Sequence, residues 1–353
     1  MGLGAIVVVG TELKAFSSSQ ENKQDAFLAE PLACIEILGR TMLERTVGRF
    51  ARAGVDVISV LVPEELSHAL PAFSDTLENL EVEVTTDTYS AVRERIREFW
   101  HNGIEHTFVA SVDTYTETDL LDLFYFHREA RQAGTRAFDS ESPLDLWVVD
   151  CARAQEANLE SLLKDCAGPS YFVREYVSRL THARDLRRLV SDVLRGRCRI
   201  RPSGTELKPG IWVGGGAEIH RRARIVAPAY VGRHSEIRED TLITRFSSIE
   251  KNSFVDYGTV VEDSSILANT HVGIWLDVCH SVASESKLFN LERNVILEIS
   301  DPSIIRAAVA ARSSRNLFGM SHAQPVVADL RHHQQEKTPA PEPWQLGANP
   351  IQG

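Results

Sequence analysis

Two short stretches of this chain carry residue types that can do chemistry. Gly10-Thr11 follows the apolar run 5–9, where a glycine turn either presents backbone amides to a phosphate or simply turns the chain tightly. Asp113 follows a second such run, 107–111, and reads either as a ligand for a divalent cation or as an exposed loop carboxylate. Arg221, Arg222, Arg224 and Arg233 make a basic cluster, either an anion site or a solvated charged face. His220, His234, His271 and His280 lie in the same part of the chain and carry ring nitrogens of the kind a general base needs.

The elements that must position these residues are of two kinds. In the first half, buried-type apolar runs alternate with helical patterns: a strand at 5–9, a helix after Thr41 with Leu43, Val47, Phe50 and Gly54 on one face, a strand at 57–62, a helix at 90–100, a strand at 107–111, a helix at 117–132 and a strand at 146–149. That alternation predicts a doubly wound α/β domain, closed by a helix at 183–194. Ligands of such sheets bind beyond the carboxyl ends of the strands, which is where Gly10-Thr11 and Asp113 fall.

The second half has a period of six. Val213, Ile219, Ile225, Val231, Ile237, Ile243, Ile249, Val255, Val261 and Leu267 mark it, and a small residue precedes each later mark by two, from Ala217 to Ser265. Read this way the run 211–269 has no insertion or deletion. A fixed six-residue repeat predicts a parallel β-helix, three hexapeptides to a coil, with β-branched residues stacked inward and small residues at the corners. A row of antiparallel strands would also keep even spacing, but it wants Asn-Gly or Asp-Gly turns, and none occurs here. Asn290–Ile299 reads as extended, Asp301-Pro302 as the start of a short helix, and the proline- and glutamine-rich end as disordered.

Composition narrows the partners. A formal charge of −11 over 353 residues argues against nucleic acid, and no apolar run is long enough for a membrane span. The cysteines at 34, 151, 166, 198 and 279 show no paired spacing, which fits reduced thiols and a cytoplasmic location.

The hexad pattern resembles the left-handed β-helix of the hexapeptide-repeat family. Joined to an α/β domain, it resembles the sugar nucleotidyltransferases, such as the mannose-1-phosphate guanylyltransferases and glucose-1-phosphate thymidylyltransferases. Glu30-Pro31-Leu32 through Gly54 is similar to that family's Lys-Pro-Leu…Gly-Lys-Pro-Met-Leu-Glu segment, Val112-Asp113 stands at its Gly-Asp, and 176–186 is similar to its closing segment. The resemblance implies a Rossmann-like nucleotidyltransferase domain over 1–195, a linker over 196–210, the left-handed β-helix over 211–290, a C-terminal strand and helix over 291–312, and a disordered tail over 313–353.

It also implies a reaction. A sugar 1-phosphate and a nucleoside triphosphate would give an NDP-sugar and pyrophosphate, with Gly10 and Thr11 at the nucleotide, Asp113 holding Mg2+, and a homo-oligomer or a pairing with an active homologue. Several positions depart from the family's pattern. Glu12 replaces the loop Arg, Glu30 replaces the Lys, and Ser178 stands where a second Asp would clamp the metal. The first two exchanges remove positive charge from a site that handles polyanions and the third removes a metal ligand, so a non-catalytic binding or regulatory member is the form they favour. The alternative is a hexapeptide-repeat acyltransferase, with one of the four histidines as its base.

Overall fold

The computed structural model describes residues 2–10, 34–69, 80–140, 142–156, 159–164 and 170–308. Thr11, Glu12, Glu30, Pro31, Cys166 and the expected tail over 313–353 lie outside the described residues.

The first half is built on β1 (Gly2–Val8), the short pair β2 (Glu36–Ile37) and β3 (Arg40–Thr41), α1 (Met42–Arg52), β4 (Val57–Pro63), β5 (Leu80–Thr85), α2 (Thr88–His101), β6 (Ile104–Ser111) and β7 (Thr114–Thr116). There follow α3 (Leu120–Ala130), β8 (Gly134–Phe138), β9 (Pro143–Asp150), α4 (Cys151–Glu156), α5 (Leu159–Lys164), β10 (Tyr171–Phe172), β11 (Val177–Arg179) and α6 (Ala183–Leu194). Seven strands form one sheet in the order β10-β8-β9-β6-β1-β4-β5. Only β9 runs antiparallel to its neighbours β6 and β8.

Strand alternation sorts the core into two layers. Ala5, Val7, Val60, Phe108 and Val148 face α1, α3 and α6, whereas Ile6, Val8, Leu61, Val109, Trp147 and Val149 face α2, α4 and α5. Helix α1 starts at Thr41 because a full capping box holds it. The Thr41 hydroxyl accepts from the Glu44 amide at 3.1 Å, and the Glu44 carboxylate accepts from the Thr41 amide at 2.7 Å. The alternating pattern left β5, β8 and β10 unread. β5 is a sheet edge whose residues are exposed or half-buried, so it lacks the continuous apolar run that marks the central strands.

The second half coils. Its strands are β12 (Thr205–Lys208), β13 (Ile211–Val213), β14 (Glu218–Ile219), β15 (Arg224–Ile225), β16 (Ala229–Val231), β17 (Glu236–Ile237), β18 (Leu242–Thr244), β19 (Ser247–Ile249) and β20 (Phe254–Val255). They continue with β21 (Val260–Glu262), β22 (Ser265–Ile266), β23 (Thr270–Val272), β24 (Asp277–Cys279), β25 (Ser281–Ser284), β26 (Lys287–Asn290), β27 (Val295–Glu298) and β28 (Ile305–Ala307). From β13 to β22 each strand pairs in parallel with the strand three further on, so three sheets share the chain as the faces of one parallel coil. Val231, Ile237, Ile243, Ile249, Val255 and Val261 fill the interior.

The period slips once inside the marked run, which corrects the uninterrupted reading. Up to Val261 partners are eighteen residues apart, as in the pairing of Val231 with Ile249. From there they are seventeen apart: Ile249 pairs with Ile266, Val255 with Val272 and Val261 with Val278. The stacked residue is therefore Ile266, and the corner residue is Ser264. Leu267 instead points out of the coil into the core of the α/β half, along with Tyr230, Val282 and Phe289. The corner residues do more than fit a tight space. Ser235, Ser253, Thr259 and Ser264 each donate a hydroxyl to a carbonyl of the next coil, at 2.7, 2.8, 2.6 and 3.0 Å, satisfying groups that water cannot reach.

Three further readings change at the ends. The stretch 196–210 contains β12, which pairs antiparallel with β13. Residues 290–299 turn at Asn294, with φ of 54°, so that β26 and β27 form a hairpin. Asp301-Pro302 opens no helix. The Asp301 carboxylate accepts from the Ser303 amide and hydroxyl at 2.8 and 2.7 Å, a local turn, and β28 then covers β23.

Candidate functional site

Strand order locates the site. From β1 the chain steps outward to β4 and β5, then returns to the other side of β1 as β6. Such a reversal opens a crevice at the carboxyl ends of the two central strands. Gly10 leaves β1 there and Asp113 leaves β6. The Val9 amide donates to the Leu61 carbonyl at 3.0 Å and the Val112 amide to the Val8 carbonyl at 3.2 Å, so both exits are fixed to the sheet. Gly10 has φ of +112°, a backbone region that side chains disfavour.

Asp113 is 5% exposed, which removes the exposed-loop reading. Its amide donates to the Ser111 hydroxyl oxygen at 3.3 Å, and its carbonyl accepts from the Leu180 amide at 2.7 Å. The second contact belongs to a small ladder in which β11 runs antiparallel to β7 with Ser178 opposite Tyr115. The fold thus brings the segment of Ser178 alongside that of Asp113. Mg2+ takes oxygen ligands from one or two carboxylates together with phosphates and water. Among the described residues no three His, Cys, Asp or Glu side chains gather as a metal shell would. Asp113 is a single buried carboxylate at this point, and no step is assigned to a metal.

Two cations near the crevice, among the described residues, are committed to the protein. Arg49 donates to the Thr118 carbonyl at 2.8 Å and lies 5.9 Å from the Tyr115 ring centre; burial lowers its pKa. Arg136 pairs with Asp145 at 3.0 Å, donates to the Leu144 carbonyl at 2.8 Å and covers the Trp147 ring. Together with Thr46, Ser111, Thr114 and Thr116, Arg49 and Asp145 line a pocket between α1, β6 and β7. Hydroxyls, one guanidinium and one carboxylate suit a neutral polar group better than a triphosphate. Spacing alone did not point to this pocket, because its residues come from five separate elements, α1, β6, β7, α3 and β9.

The coil residues singled out in the sequence do not converge. Arg222 pairs with Glu239 and Asp240 on the next coil, whereas Arg233 turns to Glu36 at 4.0 Å. His271 is buried beneath β28 with its ring 4.7 Å from that of Phe254. The His220 ring accepts from the Arg222 amide at 3.3 Å, and His234 packs against Gly216. His280 meets Asp263 at 2.8 Å, and Arg187 reaches the same carboxylate at 2.5 Å.

One carboxylate joins the two halves and was missed. Glu250, 1% exposed, accepts from the Leu38 and Gly39 amides in the β2–β3 turn at 2.8 and 3.1 Å. Burial raises its pKa to about 8, and the nearby Glu36 adds to the rise against the pull of those amides. Lys251 holds Glu36 at 2.6 Å. Gly39 can only be glycine here, with φ of +84° and the Tyr230 hydroxyl crowding the place where a Cβ would sit. A signal was present in the sequence, since Glu250 occupies the column held by Gly214 and Gly232 in the two preceding coils. Against known protein families and curated proteins, the chain matches no family model and no curated sequence.

Proposed function

We propose that the protein is a non-catalytic member of the nucleotidyltransferase fold, with a left-handed coil, that binds a nucleotide or NDP-sugar in sugar-nucleotide or polysaccharide-precursor metabolism. The observation that carries this reading is the reversal of strand order between β1 and β6, with Gly10 and Asp113 leaving the two strands at that point. The unbroken six-residue steps before Val261 support the coil's hand by resemblance. The assignment of binding without turnover rests on charge. Joining a sugar 1-phosphate to a triphosphate requires cations aimed at the phosphates, and Arg49 and Arg136, among the described residues, are spent on protein carbonyls and a carboxylate.

Isothermal titration of the full chain with GTP, dTTP, UTP and GDP-mannose, with and without Mg2+, tests the proposal. A pyrophosphate-release assay with sugar 1-phosphates completes it. Binding that weakens in a folded Asp113→Ala variant, with no pyrophosphate released, is the expected result. Release of pyrophosphate would overturn the non-catalytic part, and failure of every nucleotide to bind would overturn the whole. The acyltransferase reading retains one specific support, the contact of half-exposed His280 with Asp263, and acyl-CoA in the same titration tests it.

A further inference from the structure

The eight-stranded sheet β12-β13-β16-β19-β22-β25-β26-β27 ends in two edges of opposite character. At one edge β12 reads Thr-Glu-Leu-Lys, with Glu206 and Lys208 exposed and a break in register between them. Charges and irregular register are how soluble sheets guard an edge against further pairing. At the other edge β27 reads Val-Ile-Leu-Glu and bonds only to β26 among the described residues. Its three apolar residues are 43, 43 and 45% exposed in chain order. Neither a proline, a bulge nor a central charge guards it.

We infer that β27 is the homodimer contact, pairing antiparallel with β27 of a second copy so that two sheets become one. The occupant follows from self-complementarity. A two-fold axis normal to a sheet keeps each side chain on its own face, so a strand can pair with its own copy only about a residue centre. Centred on Ile296, the pairing sets Ile296 against the partner's Ile296, Val295 against the partner's Leu297, and Asn294 against the partner's Glu298. Centring on Leu297 would oppose Glu298 to an isoleucine, and centring on Val295 would do the same with Asn294. One register therefore matches apolar with apolar and opposes no like charges. The two exposed faces are both served. Ile296 lies opposite Phe289, which packs into the α/β core, and Leu297 lies opposite Leu288, which packs against the coil interior. The axis would leave both α/β halves on the same side of the joined sheet.

Sedimentation velocity on the full chain, from low to high micromolar concentration, tests this. The wild type should dimerise. Ile296→Lys should raise the dissociation constant on the order of 100-fold, because the two lysines would face each other across the axis. Ile296→Asp should do the same, and an equimolar mixture of the two variants should recover a dimer containing one of each. Circular dichroism should be unchanged throughout, since the side chain is exposed. A monomeric wild type, a dimer that survives Ile296→Lys, or a mixture that stays monomeric would each overturn the inference. None of these outcomes bears on nucleotide binding.

Discussion

In the coil, Ile237, Ile243 and Ile249 hold equivalent positions, each inside one face and each stacked on the residue a coil away. In the α/β half no two of the seven strands are equivalent, and β1 is completed by strands about fifty and a hundred residues further on. The coil obtains stability by repeating one layer and tolerates little change of phase. The α/β half obtains it from single, non-repeated placements, several of them buried and polar.

The sharpest way to break this contrast is to correct the coil's own irregularity. Inserting one residue between Glu262 and Ser264 would set Ile266 six residues after Val261. If the seventeen-residue partnering is the native one, Ile266 stays inside and Leu267 outside, and only the lengthened corner is disturbed, at about 1 kcal/mol; were Leu267 the stacked residue, the insertion would push it off its mark and cost on the order of 4 kcal/mol or more. Urea unfolding measures it, and a loss of about 4 kcal/mol would show that the unbroken period is correct after all.

A second test holds the chemistry constant and varies burial. Arg136→Ala strands Asp145, whose pair has side chains 4 and 11% exposed, and should cost about 3–5 kcal/mol. Arg222→Ala removes an arginine whose side chain is 55% exposed from two carboxylates on the coil and should cost about 0.2–1 kcal/mol. Equal losses would erase the distinction between the halves.

The third test uses pH. His127 is 1% exposed and hydrogen-bonded to Thr135 at 2.8 Å; burial, and then His106, push its pKa down to about 4. Its contribution, ~3 kcal/mol, is present above pH 6.5 and is lost as pH falls through about 4. Glu250 has the opposite sign. With its pKa raised to about 8, its contribution is complete below the ordinary carboxylate range and is lost as pH rises through 8. Denaturant titrations across this range should show His127→Gln flattening the acid side and Glu250→Gln flattening the alkaline side.

Legibility in the sequence followed the same division. The coil's three-faced stacking could be read from its period because β-branched residues recur where only they pack. The slip could not, because Leu267 is as apolar as Ile266 and satisfies a six-residue mark while facing the other core. In the α/β half the central strands and α1 announced themselves through apolar runs and the Thr41 cap. The half-exposed edge strand β5 and the ladder of β7 with β11 did not, since both are defined by partners distant in the chain. For the site, position beyond a strand end was readable at Gly10 and Asp113, whereas the burial of Asp113 and the pocket of Arg49 arise only when α1, β6, β7, α3 and β9 come together.

The bond from Leu38 to Glu250 spans 212 positions. At a synthesis rate of about 5–20 residues per second, the turn at Leu38 and Gly39 leaves the ribosome roughly 10–40 s before the carboxylate that will accept its amides. For that interval the α/β half is a nascent chain with an apolar face awaiting Tyr230, Leu267, Val282 and Phe289. The coil is thus a late-arriving cover for that face.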